Sequence, residues 1–274
     1  MKLNINQVSY HVSSEGTGEP LVLLHGFSGS MADWEQLLPE WVPVFQVIRI
    51  DLLGHGQTES PDSPNRYSME QQILDLIGIL DLLGIKQANV LGYSMGGRVA
   101  LSLACLHPER IRCLILESAS PGLSHLKERQ ARRQHDQKLS RFIGDEGMEA
   151  FVNFWENIPL FETQKELPDA LRDRVRSSRL ANHPLGLAGS LLGMGTGSQP
   201  SWWNNLERLK MPVLLITGRK DQKFCRIASE MARLIKRCDW QIAEDCGHNI
   251  HLEDQMAFCR ILRAFFAGRG EIPS

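Results

Sequence analysis

The sequence predicts an α/β protein, a mostly parallel twisted sheet with helices on both faces and an inserted helical cap. Two observations predict it. Short apolar runs alternate with helical patterns over roughly the first 119 residues and again from about 206 to 274. Between 120 and 205 the alternation stops, leaving helical patterns without a buried strand. Strand, helix, strand is the rhythm of a parallel sheet covered on both sides. A helical insertion between two of its strands reads as a cap over the site. The domain division is therefore a core of 1–119 and 206–274, with a cap at 120–205.

The elements follow in order. "PLVLLHG" (20–26), "FQVIRIDLLGHG" (45–56), "ANVLGYS" (88–94) and "IRCLILES" (111–118) are apolar runs ended by turn residues, the pattern of buried strands. Residues 69–85 and 97–110 between them have helical spacing. In the insertion, "HLKERQARRQHDQKLSRFI" (125–143) is polar, with six Lys/Arg against two acids from 127 to 141, whereas "GMEAFVNFWENIPLF" (147–161) is aromatic and apolar. The sheet rhythm then resumes with a strand at 211–221, a helix at 226–235, a strand at 239–248 and a helix at 254–266.

Composition narrows the function classes. A net charge of −2 suggests neither a nucleic-acid nor a membrane-surface partner. The N-terminus lacks a signal-type apolar core, and no apolar run approaches the roughly 18 residues of a membrane span. A cytoplasmic protein is the expectation. The six cysteines include no CxxC pair, so neither a zinc site nor a disulfide framework is expected. No cofactor and no metal are expected.

The chemistry concentrates in "LGYSMGGRVA" (91–100). A strand runs into Gly92-Tyr93-Ser94-Met95-Gly96 and a helix leaves it, the context in which G-x-S-x-G holds a serine hydroxyl out at the carboxyl edge of a sheet. A serine hydroxyl is a weak nucleophile or base unless a neighbour takes its proton. Asp221, at the end of one late strand, and His248, after the next, face the same edge. His248 is preferred over nearby His251 because it follows a strand at the right distance from Asp221. His25, His55 and the remaining histidines lie in loops or beside helices. In "LLHGFSGS" (23–30) the chain bends after a strand, so that the backbone N–H of Phe27, with that of Met95, would form a two-donor oxyanion hole braced by His25.

Taken together, HGF, D-x-x-G-H-G, G-x-S-x-G, a strand-end Asp and a late GH, in that order, resemble the α/β-hydrolase superfamily over nearly the whole chain. Within it, "HGFSGS", "GYSMGGRVAL", "ESASPGL…ERQARRQHD", "FWENIPLF", "GTGSQPSWW", "GRKDQKF" and "GHNIHLE" are similar to the MenH family of the menaquinone pathway. That resemblance implies a lyase. It eliminates pyruvate from 2-succinyl-5-enolpyruvyl-6-hydroxy-3-cyclohexene-1-carboxylate, a small substrate with three carboxylates. Ser94, His248 and Asp221 would abstract the proton. Guanidinium forks suit carboxylates, and the resemblance places them at Arg98, one helical turn past Ser94, at Arg132 and at Arg179. It also places Trp155 against the substrate; Tyr93, beside the serine, and Lys223, just past Asp221, are further candidates for substrate contact. A solvated basic face remains the alternative for Arg132, cap packing for Trp155, packing behind the serine for Tyr93, and a water-facing ammonium for Lys223. Two positions depart from the pattern. Glu156 stands where some relatives have tyrosine, and Leu53 replaces a common proline. The alternative enzyme is a carboxylesterase or C–C hydrolase with Ser94 as covalent nucleophile. A ligand-sensing protein on the same fold is the non-enzymatic alternative. Oligomeric state is not legible.

Overall fold

The computed structural model describes residues 1–270. Eight strands form one sheet: β1 (Lys2–Ile5), β2 (Val8–Glu15), β3 (Glu19–Leu24), β4 (Phe45–Ile50), β5 (Ala88–Tyr93), β6 (Ile111–Glu117), β7 (Val213–Gly218) and β8 (Cys238–Ala243). Their order is β1-β2-β4-β3-β5-β6-β7-β8. The β1/β2 and β2/β4 pairs are antiparallel, and the other pairs are parallel. The β1–β2 hairpin is not foreseen from the apolar pattern. Its turn places Asn6 and Gln7 in the left-handed region, at φ 48° and 67°, as two-residue hairpin turns require.

The helices are α1 (Leu38–Trp41), α2 (Met69–Leu82), α3 (Met95–Leu106), α4 (Leu126–Trp155), α5 (Asp169–Leu180), α6 (Pro184–Met194), α7 (Gln222–Leu234), α8 (Ile250–Glu253) and α9 (Gln255–Ala267). Strand alternation sorts the core into two layers. Val22, Leu24, Val90, Leu114 and Leu215 face one way and pack with Ile73 and Ile79 of α2, Val99 of α3 and Met231 of α7. Leu21, Leu23, Leu91, Ile115 and Ile216 face the other way and pack with Trp34, Trp41, and Phe258 and Phe266 of α9. These strands read as unbroken apolar runs because both faces are covered.

Helices α4, α5 and α6 fall between β6 and β7. Leu139, Ile143, Phe151 and Val152 of α4 share a separate small core with Leu187 and Leu191 of α6. α4 is not continuous: Gly147 has φ 80° and ψ 179°, and the break divides its polar first half from its aromatic second half. Asn182, between α5 and α6, ties this region to two core loops. Its Oδ1 accepts from the Gly56 N–H at 2.9 Å, and its Nδ2 donates to the Ser28 carbonyl at 2.8 Å. Among the described residues no helix is long and apolar enough to cross a membrane.

With β5, β6, β7 and β8 adjacent and parallel, their carboxyl ends bring Ser94, Ser118, Asp221 and His248 to one edge of the sheet. That edge is where open α/β sheets bind ligands.

Candidate active site

β5 turns directly into α3 through Ser94, at φ 50° and ψ −103°. That is a sparsely populated conformation for a residue with a side chain. It holds because the surroundings over-determine it. The Ser94 N–H donates to the Glu117 carbonyl on β6 at 2.9 Å. The flanking glycines let three backbone segments meet. A Cβ on Gly92 would sit 2.3 Å from the Gly96 carbonyl oxygen, and one on Gly96 would sit 2.1 Å from that of Leu24.

Asp221, Ser94 and His248 form one hydrogen-bonded line. His248 Nε2 lies 3.0 Å from Ser94 Oγ, and His248 Nδ1 lies 2.7 Å from Asp221 Oδ2. A carboxylate only accepts, so Nδ1 carries the proton and Nε2 is left to accept from the serine hydroxyl. Asp221 is fixed in turn as the N-cap of α7, its Oδ1 accepting from the Phe224 N–H at 3.1 Å. The imidazole is 1% exposed and packs edge-on against Phe224, ring centroids 4.6 Å apart. His251 is engaged elsewhere. Its Nδ1 lies 2.6 Å from Glu117 Oε2, and its ring stacks on Trp34 with centroids 4.3 Å apart.

Phe27 and Met95 both line the cavity in front of Ser94. Met95 is the first residue of α3, where N–H groups have no carbonyl one turn back. His25 braces the Phe27 loop. Its Nδ1–H donates to the Gly26 carbonyl at 2.7 Å, and its Nε2 accepts from the Leu52 N–H at 3.0 Å. The leucine at 53 also has a role. Its N–H donates to Gln72 Oε1 at 3.0 Å, a bond that a proline there could not make.

The cavity has a volume of about 430 Å³ and is lined by Ser94, His248, Tyr93, Trp155, Phe161, Phe224 and Ser118, and by the cations Arg98, Arg132 and Lys223. Glu128 and Glu230 also border it. Arg98 Nη1 donates to the Met194 carbonyl and, at 2.6 Å, to Gln199 Oε1. Burial, reinforced by the positive charge of Arg132, pushes the Arg98 guanidinium down to about 10. Arg132 is held by its Nε donating to the buried Asp136 at 2.7 Å. The aromatic wall is continuous. Trp155 meets Phe27 edge-on with centroids 5.4 Å apart and stacks on Phe151 at 5.6 Å. Burial pushes the Tyr93 hydroxyl well above its ordinary pKa, and the nearby Glu117 carboxylate adds to the effect.

Arg179 is placed differently from the other two arginines. It does not line this cavity but a smaller one of about 90 Å³ on the far side of Phe27, Tyr93 and Phe161. Its guanidinium carbon stands 5.0 Å from the Phe161 ring centroid, and its Nη2 donates to Gln164 Oε1 at 3.1 Å. Phe161, which lines both cavities, lies against the Arg179 guanidinium. Burial lowers the Arg179 pKa. Glu156 also turns away from the cavity, ion-paired with Arg176 at 2.6 Å. The sequence reading missed Ser118, Phe161 and Phe224. All three stand in quoted motifs, "ESASPGL", "FWENIPLF" and "GRKDQKF", but nothing in their spacing marks them as cavity wall. Among the described residues no cluster of His, Cys, Asp and Glu could hold a metal ion.

Comparison with known proteins agrees with this architecture. A family profile described as alpha/beta hydrolase fold matches residues 19–255. The chain is 46% identical over 260 residues to a protein of Bacillus subtilis (strain 168) provisionally named 2-succinyl-6-hydroxy-2,4-cyclohexadiene-1-carboxylate synthase, covering 94% of each chain. It is 31% identical to the synthase of that name from Klebsiella pneumoniae (strain 342), covering 95% of this chain and 99% of that one. Among solved structures, MenH from S. aureus superposes with a TM-score of 0.90 at 35% identity, covering 96% of this chain and 98% of that one. The chain belongs to the α/β-hydrolase family and, within it, to the 2-succinyl-6-hydroxy-2,4-cyclohexadiene-1-carboxylate synthase (MenH) family.

Proposed function

We propose that this protein is a cytoplasmic lyase that eliminates pyruvate from 2-succinyl-5-enolpyruvyl-6-hydroxy-3-cyclohexene-1-carboxylate. The observation that carries the reading is the Ser94–His248–Asp221 line opening onto a cavity whose wall bears Arg98 and Arg132. His248 Nε2 takes the Ser94 proton, and Ser94 Oγ removes the ring proton at C2, beside the succinyl ketone. The C–H electrons flow toward the ketone oxygen, where the N–H groups of Phe27 and Met95 meet the developing charge. As that charge returns, double bonds form at C2–C3 and C4–C5, and the C5–O bond breaks. Ser94 keeps the C2 proton as its hydroxyl proton, and the proton held by His248 passes to the carbon of the departing pyruvate enolate, which leaves serine and imidazole both neutral. No water attacks, and no acyl-enzyme forms. Asp221 holds the imidazole in the tautomer this requires.

Arg98 and Arg132 would hold substrate carboxylates, with Tyr93 and Trp155 packing against the ring. Lys223 adds a third positive charge at the cavity wall. The helices between β6 and β7 act as the cap that supplies Arg132 and Trp155.

The test compares pyruvate release from the enolpyruvyl substrate with hydrolysis of a neutral aryl ester on one preparation. Saturable pyruvate release, abolished in Ser94→Ala, is expected. Burst-phase ester hydrolysis without pyruvate release would instead establish the carboxylesterase reading, in which Ser94 attacks a carbonyl.

A further inference from the structure

We infer that Ser118, at the carboxyl end of β6, is a further ligand-binding residue, its hydroxyl donating a hydrogen bond to a carboxylate or ketone oxygen of the bound anion. The inference takes its ligand class from the proposed function.

Three independent features of one residue converge. Ser118 has φ 46°, in the left-handed region that residues with a side chain rarely occupy. Its side chain is fully buried, yet Oγ has no hydrogen-bond partner. It also lines the same cavity as Ser94 and His248. A buried hydroxyl without a partner is costly, and so is a strained backbone. A side chain that carries both costs adds nothing to packing that alanine would not supply. A ligand acceptor that completes the hydroxyl accounts for both.

The backbone places the residue where such a contact is useful. The Ser118 N–H donates to the Ile216 carbonyl of β7 at 2.9 Å, and the preceding carbonyl, of Glu117, accepts from the Ser94 N–H at 2.9 Å. Ser118 is thereby fixed on the cavity floor, between the strand that leads to Ser94 and the strand that leads to Asp221. The guanidiniums of Arg98 and Arg132 arrive from α3 and α4, on helices rather than on this floor. A neutral donor among the strand ends would fix the ligand's orientation without adding a charge beside the imidazole.

The experiment uses two substitutions that remove the same hydroxyl but treat the backbone oppositely. Ser118→Gly releases the left-handed strain, and Ser118→Ala retains it, so the glycine variant should melt at a higher temperature than the alanine variant. Affinity is read by calorimetry with 2-succinylbenzoate, the stable aromatic dicarboxylate that remains when the proposed product loses its ring hydroxyl as water. Both variants should bind it about 10-fold or more weaker than wild type, the size expected for a hydrogen bond to a charged group. Their kcat/KM for pyruvate release should fall in parallel. If Ser118 were only structural, affinity would follow stability and the two variants would diverge. Equal affinity in all three proteins, affinity that tracks melting temperature, or no binding to wild type would each overturn the inference. Binding and melting are read without turnover. Failure of pyruvate release therefore counts against the proposed reaction, while weaker binding in both variants would still support the Ser118 contact.

Discussion

Replacing Arg98 with alanine removes the guanidinium nearest in sequence to Ser94 and leaves the Met194 carbonyl and Gln199 Oε1 without their donor. Lowering an arginine from 12.5 to about 10 corresponds to about 3 kcal/mol working against the charge inside the cavity. An anion that takes up the remaining N–H groups of the fork offsets that cost, and a hydrogen bond between charged partners contributes about 1.5–3 kcal/mol. The expected fall in kcat/KM for the trianionic substrate is about 10- to 150-fold. Pyruvate release is followed by coupling to lactate dehydrogenase, with neutral aryl-ester hydrolysis on the same preparations as the control. Arg98→Lys keeps the charge but not the planar fork, so it should fall between wild type and alanine. An unchanged kcat/KM in the alanine variant would refute the reasoning. So would an equal loss on the neutral ester, because the effect would then be on the fold and not on anion recognition.

Three further outcomes are expected. Leu53→Pro, which restores a residue common in this loop, should destabilise the protein by about 1–3 kcal/mol in urea unfolding, since Gln72 Oε1 loses its donor in a buried position; equal or greater stability would contradict this. Gly96→Ala should cost about 1–3 kcal/mol and depress turnover more than its stability loss explains, because the new Cβ meets the Leu24 carbonyl at 2.1 Å; a fully active variant would show that the turn relaxes freely. His55 is held down to about 3 by burial, so the unfolded chain binds a proton that the folded chain refuses. Its contribution is complete above about pH 6.5 and is lost as pH falls toward 3, the loss amounting to about 2 kcal/mol by pH 5. Urea unfolding at pH 5 and pH 7 should therefore show a smaller pH difference in His55→Gln than in wild type, and parallel curves would count against it.

The strands that build the cavity floor were legible because burial on both faces leaves an uninterrupted apolar run, as in "VLLITG" of β7. The β1–β2 hairpin was not, because β2 buries only alternate residues, Val8, Tyr10 and Val12, and reads as mixed polar sequence. The order Ser94, Asp221, His248 was readable because each residue follows a strand, and parallel topology converts that position into proximity. The arginines were harder. α5 carries Arg172, Arg174, Arg176 and Arg179, of which only the last is buried, and side-chain direction beyond the helix depends on Phe161, which no local spacing reveals. Ser118 stands in "ESASPGL", but neither composition nor periodicity signals its left-handed φ or its place on the cavity wall.

Asn182 has a consequence for anyone who re-engineers specificity by exchanging the segment between β6 and β7. One amide side chain bolts that segment to both the Phe27 loop and the loop carrying Gly56. A transplanted segment without an equivalent amide would leave the Ser28 carbonyl and the Gly56 N–H each without its tether. The Phe27 loop would then be free to drift, and with it one of the two donors proposed for the enolate. The transplant would fail through a misaligned backbone donor even if every new side chain fitted its substrate.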